Sequence, residues 1–473
     1  MDSRRDFLRS SGMVIMGGAA GFFTAEQFVR GESPFSLGSS KTNIPGGGAG
    51  ASANSSPVDD AVSLEKQRPT LVTIFLRGGA DSLNAFVPYG DDNYYKFRPG
   101  IAITPQASKG GAGVTKIKNN SYWGLNPGLA SILPLFEEGV LVPIINVGSP
   151  HDTRSHFSAQ DYMERGAPGN AKVTNGWLNR YLEASKKPFD APLRGLSAQS
   201  LLPRALRGDY PVLAGDNHTE HMELFADLYA PQNMENMIAR EGAGPTSGSR
   251  LDSRPNADGP NKLLTADMTR DIITLSGTNA VSRIKALDKA AATPSDASYP
   301  AGGLGHQLRT IAKVIKANVG LEVAQADYGG WDTHRGQGGA DGTHTKMLKH
   351  LSDCLLAFRK DLGAKNDKVM VLVMSEFGRT AHENGSQGTD HGRGGFMIAM
   401  GNMIQGGKFM GIHKGLDDLE HGRFQPVHTD YRTVFAESIT RLFHFDPFAS
   451  QLFPGYKGDA SSFIGFSKQM KEA

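Results

Sequence analysis

Acids, imidazoles and hydroxyls gather at four places in this chain. RGGADSLN carries Asp81, and HDTRSHFS carries Arg154, Ser155 and His156. GGWDTH places Asp332 and His334 two positions apart, and the stretch from SEFGRT to TDHG carries Glu376, Arg379, Asp390 and His391. Carboxylates and imidazoles suit a divalent ion such as Zn²⁺, Mn²⁺ or Mg²⁺. The chain has one cysteine, Cys354. A cysteine-based metal site and an intrachain disulfide are both excluded. Two ions about 4 Å apart can clamp the attacking and leaving oxygens of a displacement. A serine at a helix start gains from the helix dipole, which favours an alkoxide or a bound oxyanion. Arg77, Arg154 and Arg379 are available to hold an anionic ester by paired hydrogen bonds. These are the ingredients for hydrolysis or transfer of a phosphate or sulfate ester.

The elements that must position these residues are legible as apolar runs. TLVTIFL, VLVPIINVG, LEVAQADY and KVMVLVMS read as buried strands, and each is followed by one of the four clusters. NPGLASILPLFEEG, HFSAQDYMERG, GLGHQLRTIAKVIKAN and residues 343–362 read as helices. Asn126 is the expected cap of the first, with Pro127 in its first turn. Strands alternating with helices predict an α/β fold, a mostly parallel central sheet covered on both faces. Ligands of such sheets bind beyond the carboxyl ends of the strands. Each cluster also has a structural reading. Asp81 after two glycines suits an Asx turn. Ser155 suits a helix cap. Asp332 and His334 suit a turn around a buried Trp331, and Glu376 with Arg379 suits a salt bridge. Taken singly, these readings win or tie. Convergence at four strand ends favours a site.

The ends of the chain bound its class. It has 473 residues, 39% apolar and 21% charged, with 58 glycines and a net charge of +2. Near-neutrality leaves no electrostatic footprint for nucleic acid. Residues 1–30 contain SRRDFL ahead of a short glycine-rich apolar run, which looks like a twin-arginine export signal. The run is short for a membrane span, which needs about 20 residues. Phe23-Thr24-Ala25 is the nearest approach to a small-residue cleavage site, so the segment is either removed or kept as an anchor. Residues 31–67 are rich in Gly, Ser and Pro and read as a flexible linker. The folded domain is expected over 68–473, with a polar helical or loop insertion at about 204–300.

RGGADSLN, YYKFRPGIAI, SHFSAQDYMERG, NGWLNRYL, GGWDTH and MSEFGRT with NGSQGTDHGRGG resemble the exported bacterial family called domain of unknown function 1501. That family is similar to the alkaline phosphatase-like superfamily of phosphatases, arylsulfatases and phosphoglycerate mutases. The resemblance implies a metal-binding Asp after the first strand, at Asp81. It implies a nucleophile opening a helix, at Ser155, with His156 beside it as ligand or base. Asp332 and His334 correspond to one metal's ligands, Glu376 to a late metal ligand, and Asp390 with His391 to the last. Glu376-Phe377 stands where the superfamily has an Asp-His pair, which leaves two ions, one or none. Arg379 and Arg154 are then the anion binders.

Two functions fit these residues. One is an exported, metal-dependent hydrolase acting on a small-molecule or polysaccharide ester, carried by the twin-arginine translocase to the periplasm or cell surface. The other is a non-catalytic anion- or glycan-binding protein on the same fold.

Overall fold

A computed structural model describes residues 67–107, 112–187, 191–199, 201–215, 283 and 286–470, and a short strand pair at Val14–Ile15 and Phe23–Thr24. The rest of the signal segment, the linker and most of the polar insertion lie outside the described residues.

The centre of the described chain is an eight-stranded sheet. In chain order its strands are β1 (Thr70–Leu76), β2 (Leu141–Gly148), β3 (Gly195–Ser197), β4 (Leu213–Ala214), β5 (Val323–Tyr328), β6 (Val369–Met374), β7 (Gly395–Met400) and β8 (Thr429–Asp430). In space they run β8-β2-β7-β6-β1-β5-β3-β4. Every pairing is parallel except the two made by β7, which is antiparallel to both β6 and β2. The four expected strands are all present. β7 and the short edge strands carry no comparable apolar run followed by a polar cluster, and they emerge only from pairing.

Period-two alternation splits the strands between two cores. Val72, Ile74, Leu76, Val371 and Val373 face one side, where helices α3 (Gly303–Ala317) and α4 (Thr343–Leu362) cover them. Leu71, Phe75, Met370, Leu372 and Met374 face the other, under helices α2 (Trp177–Ala184) and α5 (Tyr431–Phe443). Burial on both faces explains why these strands read as near-continuous apolar runs. Helix α1 (His156–Arg165) follows β2 and ends at Gly166 in the left-handed conformation, φ 60°. The helix expected over NPGLASILPLFEEG is broken in two, a 3₁₀ turn at Pro127–Ile132 and a short α-helix at Leu133–Glu137. Pro134 has no amide hydrogen to continue the first turn. Asn126 caps as expected, accepting from the Gly128 amide at 2.7 Å.

This topology brings the clusters together. β1, β5 and β6 are parallel neighbours, with Leu76 opposite Tyr328 and Phe75 opposite Met374. Their carboxyl ends therefore share one edge, and β2 points the same way through its antiparallel partner β7. The loop carrying Asp390 and His391 enters at the amino end of β7. Because β7 runs backwards, that end lies on the same edge.

Candidate metal centre

The turn after β1 sets the floor of the site. Gly78 has φ +124°, and a side chain there would put its Cβ 2.5 Å from the Asp332 amide nitrogen. Only glycine lets the β1 turn and GGWDTH approach this closely. Arg379 locks the two loops. Fully buried, it donates to the Gly79 carbonyl at 2.6 Å, to Trp331 O at 3.0 Å, to Thr389 O at 3.1 Å and to the Gly78 carbonyl. It also meets Asp332 Oδ1 at 2.7 Å.

Three histidines face the same oxygen. Asp332 Oδ1 lies 3.1 Å from His334 Nε2, 3.2 Å from His391 Nε2 and 3.3 Å from His156 Nε2. His334 Nε2 and His391 Nε2 are themselves 2.9 Å apart. His156 Nε2 is buried and makes no hydrogen bond among the described residues, close as it is to Asp332. The remaining nitrogen of each ring is held from behind. His156 Nδ1 donates to Glu376 Oε1 at 2.7 Å, His334 Nδ1 to Asp390 Oδ1 at 3.1 Å, and His391 Nδ1 to the Arg154 carbonyl at 2.8 Å. An oxygen acceptor behind Nδ1 fixes the tautomer and turns the Nε2 lone pair forward, the arrangement that metal-binding histidines use.

The electrostatics follow from these contacts. Hydrogen bonding to Glu376 raises the His156 pKa against the effect of burial. Burial lowers that of His391. Burial opposes ionisation of Asp332, but Arg379, His156 and His334 outweigh it and hold its pKa at about 2. Burial likewise opposes ionisation of Glu376, and hydrogen bonds from His156 and Gln160 outweigh it, so its pKa lies below the ordinary value. The centre is lined by carboxylates in their charged form, and it opens to solvent through Asp332, whose side chain is 46% exposed.

A family model described as protein of unknown function (DUF1501) matches residues 144–445, more than half of the chain. The chain belongs to the DUF1501 family. The matched span encloses His156, Asp332, His334 and His391 and leaves Asp81 outside. No curated protein matches this DUF1501 chain. Among solved structures it is similar to BT1596, a 2-O GAG sulfatase, at 10% identity and a TM-score of 0.25, covering 73% of this chain and 66% of that one. It is also similar to a mutant of the alkaline phosphatase PafA, at 10% identity and a TM-score of 0.22, covering 67% and 64%. The DUF1501 chain thus spans just under two thirds of either structure, and overlaps this loose carry no argument about mechanism.

Several expected ligands stand elsewhere in the DUF1501 site. Asp81 is not free to bind a metal. It is buried, and both its oxygens take hydrogen bonds from Arg98, at 2.5 and 3.0 Å, with Gln337 adding a third at 2.6 Å. Glu376 supports His156 instead of facing the centre: its Oε1 accepts from the Gly78 amide at 2.9 Å and Gln160 at 2.8 Å as well as from His156. Asp390 does the same for His334 and also accepts from Asn384 at 3.1 Å. Arg379 has no face left for a substrate anion. Arg154 contributes its carbonyl, and its guanidinium stacks on the Phe424 ring 4.8 Å away. Ser155 is exposed at the start of α1, and its hydroxyl caps no backbone amide. Sequence reasoning missed Gln160, although its place one helical turn after His156 put it on the same face.

Proposed function

We propose that the chain is a hydrolase of phosphate or sulfate esters that depends on one divalent ion. The observation that carries this reading is the convergence of three Nε2 atoms on Asp332, each ring anchored through Nδ1. Two imidazole lone pairs 2.9 Å apart repel unless a cation or a proton stands between them. The residues fit an ion. Metal–ligand bonds of about 2.0–2.1 Å in a tetrahedral set put ligand atoms roughly 3.3 Å apart. Asp332 Oδ1 stands 3.2 Å from His391 Nε2 and 3.3 Å from His156 Nε2, and ligand atoms of these three residues all lie within 4.8 Å of one another. His156 and His391 would hold the ion, with Asp332 as the anionic member and His334 beside them, against Asp332 Oδ1 and His391 Nε2. Imidazole-rich sets suit Zn²⁺ better than Mn²⁺ or Mg²⁺.

Such an ion supplies Lewis-acid chemistry, acidifying a water and polarising an ester oxygen. The chain's own residues do the rest. Glu376, Asp390 and the Arg154 carbonyl hold the three rings in one tautomer. Arg379 balances the charge of Asp332 and pins the turn that bears it. The exposed Arg154 guanidinium offers a cation to an anionic ester. Ser155, one residue before His156, is the side-chain nucleophile to test. Purified protein loaded with Zn²⁺ or Mn²⁺ is expected to turn over an aryl phosphate or aryl sulfate, and His391→Ala to abolish turnover. Full activity in Ser155→Ala would assign the nucleophile to water.

Arg379 favours a second reading, because it satisfies Asp332 without an ion. On that reading the site binds an anion or a glycan at the cell surface without turnover. The purified protein, with or without added Zn²⁺, would then show saturable anion binding and no product. The SRRDFL start supports export in folded form, and Arg4→Lys with Arg5→Lys is expected to keep the protein inside the cell.

A further inference from the structure

Helix α1 presents a polar stripe at His156, Gln160 and Glu164, spaced i, i+4, i+8 on its inward face. Glu164 is buried and takes Arg77 at 3.1 and 3.2 Å, Gln325 at 3.1 Å and the Ala205 amide at 3.4 Å. Arg77 is fixed in turn by Asp327 Oδ2 at 2.6 Å, on β5. It gives one further hydrogen bond, from Nη1 to Gln160 Oε1 at 3.1 Å. Gln160 Nε2 then meets Glu376 Oε1 at 2.8 Å, the same oxygen that takes the His156 Nδ1 hydrogen.

The direction of this chain is forced. With its amide reversed, Gln160 would set its NH₂ against the Arg77 guanidinium and its oxygen against the Glu376 carboxylate, donor on donor and acceptor on acceptor. The guanidinium, which can only donate, therefore dictates that Gln160 donates to Glu376. Glu376 in turn has only acceptor atoms to offer His156. We infer that Gln160, oriented by Arg77, is a positioning residue that fixes His156 with Nδ1 toward Glu376 and Nε2 toward Asp332. The inference uses the metal reading for its consequence, since Nε2 is the atom that would meet the ion. The ring orientation itself stands on hydrogen bonding alone.

The test compares wild type with Gln160→Met, which keeps length and loses both hydrogen-bonding ends, and Gln160→Glu, which sets a second carboxylate against Glu376. The first readout is the ¹⁵N spectrum of the His156 ring in metal-free protein at alkaline pH. Wild type is expected as a single Nδ1–H tautomer and Gln160→Met as a mixture. The second is Zn²⁺ affinity by chelator competition, expected to weaken about 10–100-fold in Gln160→Met, as for other groups behind a ligand, and further in Gln160→Glu. An unchanged ring tautomer in folded Gln160→Met overturns the inference. A changed tautomer in a protein that binds no Zn²⁺ upholds it and removes the metal reading instead. Equal melting temperatures for wild type and Gln160→Met would separate positioning from general support of the fold.

Discussion

At the scale of single residues, the site divides into atoms that face its centre and atoms that hold them. Glu376→Gln keeps an acceptor for the Gly78 amide but loses the carboxylate that orients His156. It is expected to weaken Zn²⁺ binding about 10–100-fold while leaving the fold intact, measured by chelator competition and circular dichroism. Asp81 should behave in the opposite way. Arg98 and Asp81 are both buried, and removing one partner of a buried pair costs about 3–5 kcal/mol. Arg98→Met is therefore expected to lower unfolding stability by that amount in urea titrations, with Zn²⁺ affinity in the folded fraction unchanged. Residue types alone could not separate these roles. Asp81, Glu376 and Asp390 are carboxylates after strands, as a ligand would be, and only their partners show which face the centre. Asp332, His334 and His391 are singled out by the convergence of polar clusters at strand ends, since a turn around buried Trp331 accounts for Asp332 and His334 equally well when taken alone. For His156 the sequence leaves ligand and base both open, because its tautomer is set by Glu376, distant in sequence.

At the scale of elements, the apolar strands and the helices around them were readable because burial on both faces leaves a plain pattern. What could not be read was the direction of β7. A six-residue strand is apolar whichever way it runs. Yet its antiparallel course is what delivers His391 to the histidines at the ends of β2 and β5. The close contact of the β1 turn with GGWDTH is equally silent in sequence beyond its glycines. Gly78→Ala should test it. Its φ of +124° is costly for any residue with a side chain, about 1–3 kcal/mol, and the Cβ would push on the Asp332 amide. Loss of stability together with loss of Zn²⁺ binding is expected, whereas a stable variant with normal affinity would show that the two turns are not coupled.

At the scale of the whole molecule, the described residues hang together through buried polar groups under the site as well as through three apolar clusters. His344 is one of them. Fully buried against Trp331, it has both ring nitrogens without a hydrogen bond among the described residues. Burial lowers its pKa from 6.5 to about 4. The unfolded chain takes up this proton first, so the neutral ring's contribution is complete above pH 6.5 and is lost as pH falls through 4. The shift is worth up to about 3 kcal/mol. Chelator-treated wild type is expected to lose that much more stability than His344→Leu between pH 6.5 and 4, measured by urea unfolding at each pH. Parallel pH profiles for the two proteins would contradict it. Among the described residues no helix is long and apolar enough to cross a membrane.

The most direct measurement is the metal content of the purified full-length chain, determined by elemental analysis before and after incubation with Zn²⁺ and Mn²⁺. Wild type should hold one ion per chain. His156→Ala and His391→Ala should lose it, and Asp81→Asn should retain it wherever it folds. A folded wild type that takes up neither ion, or histidine variants that keep theirs, would contradict a metal centre built from His156, His391 and Asp332.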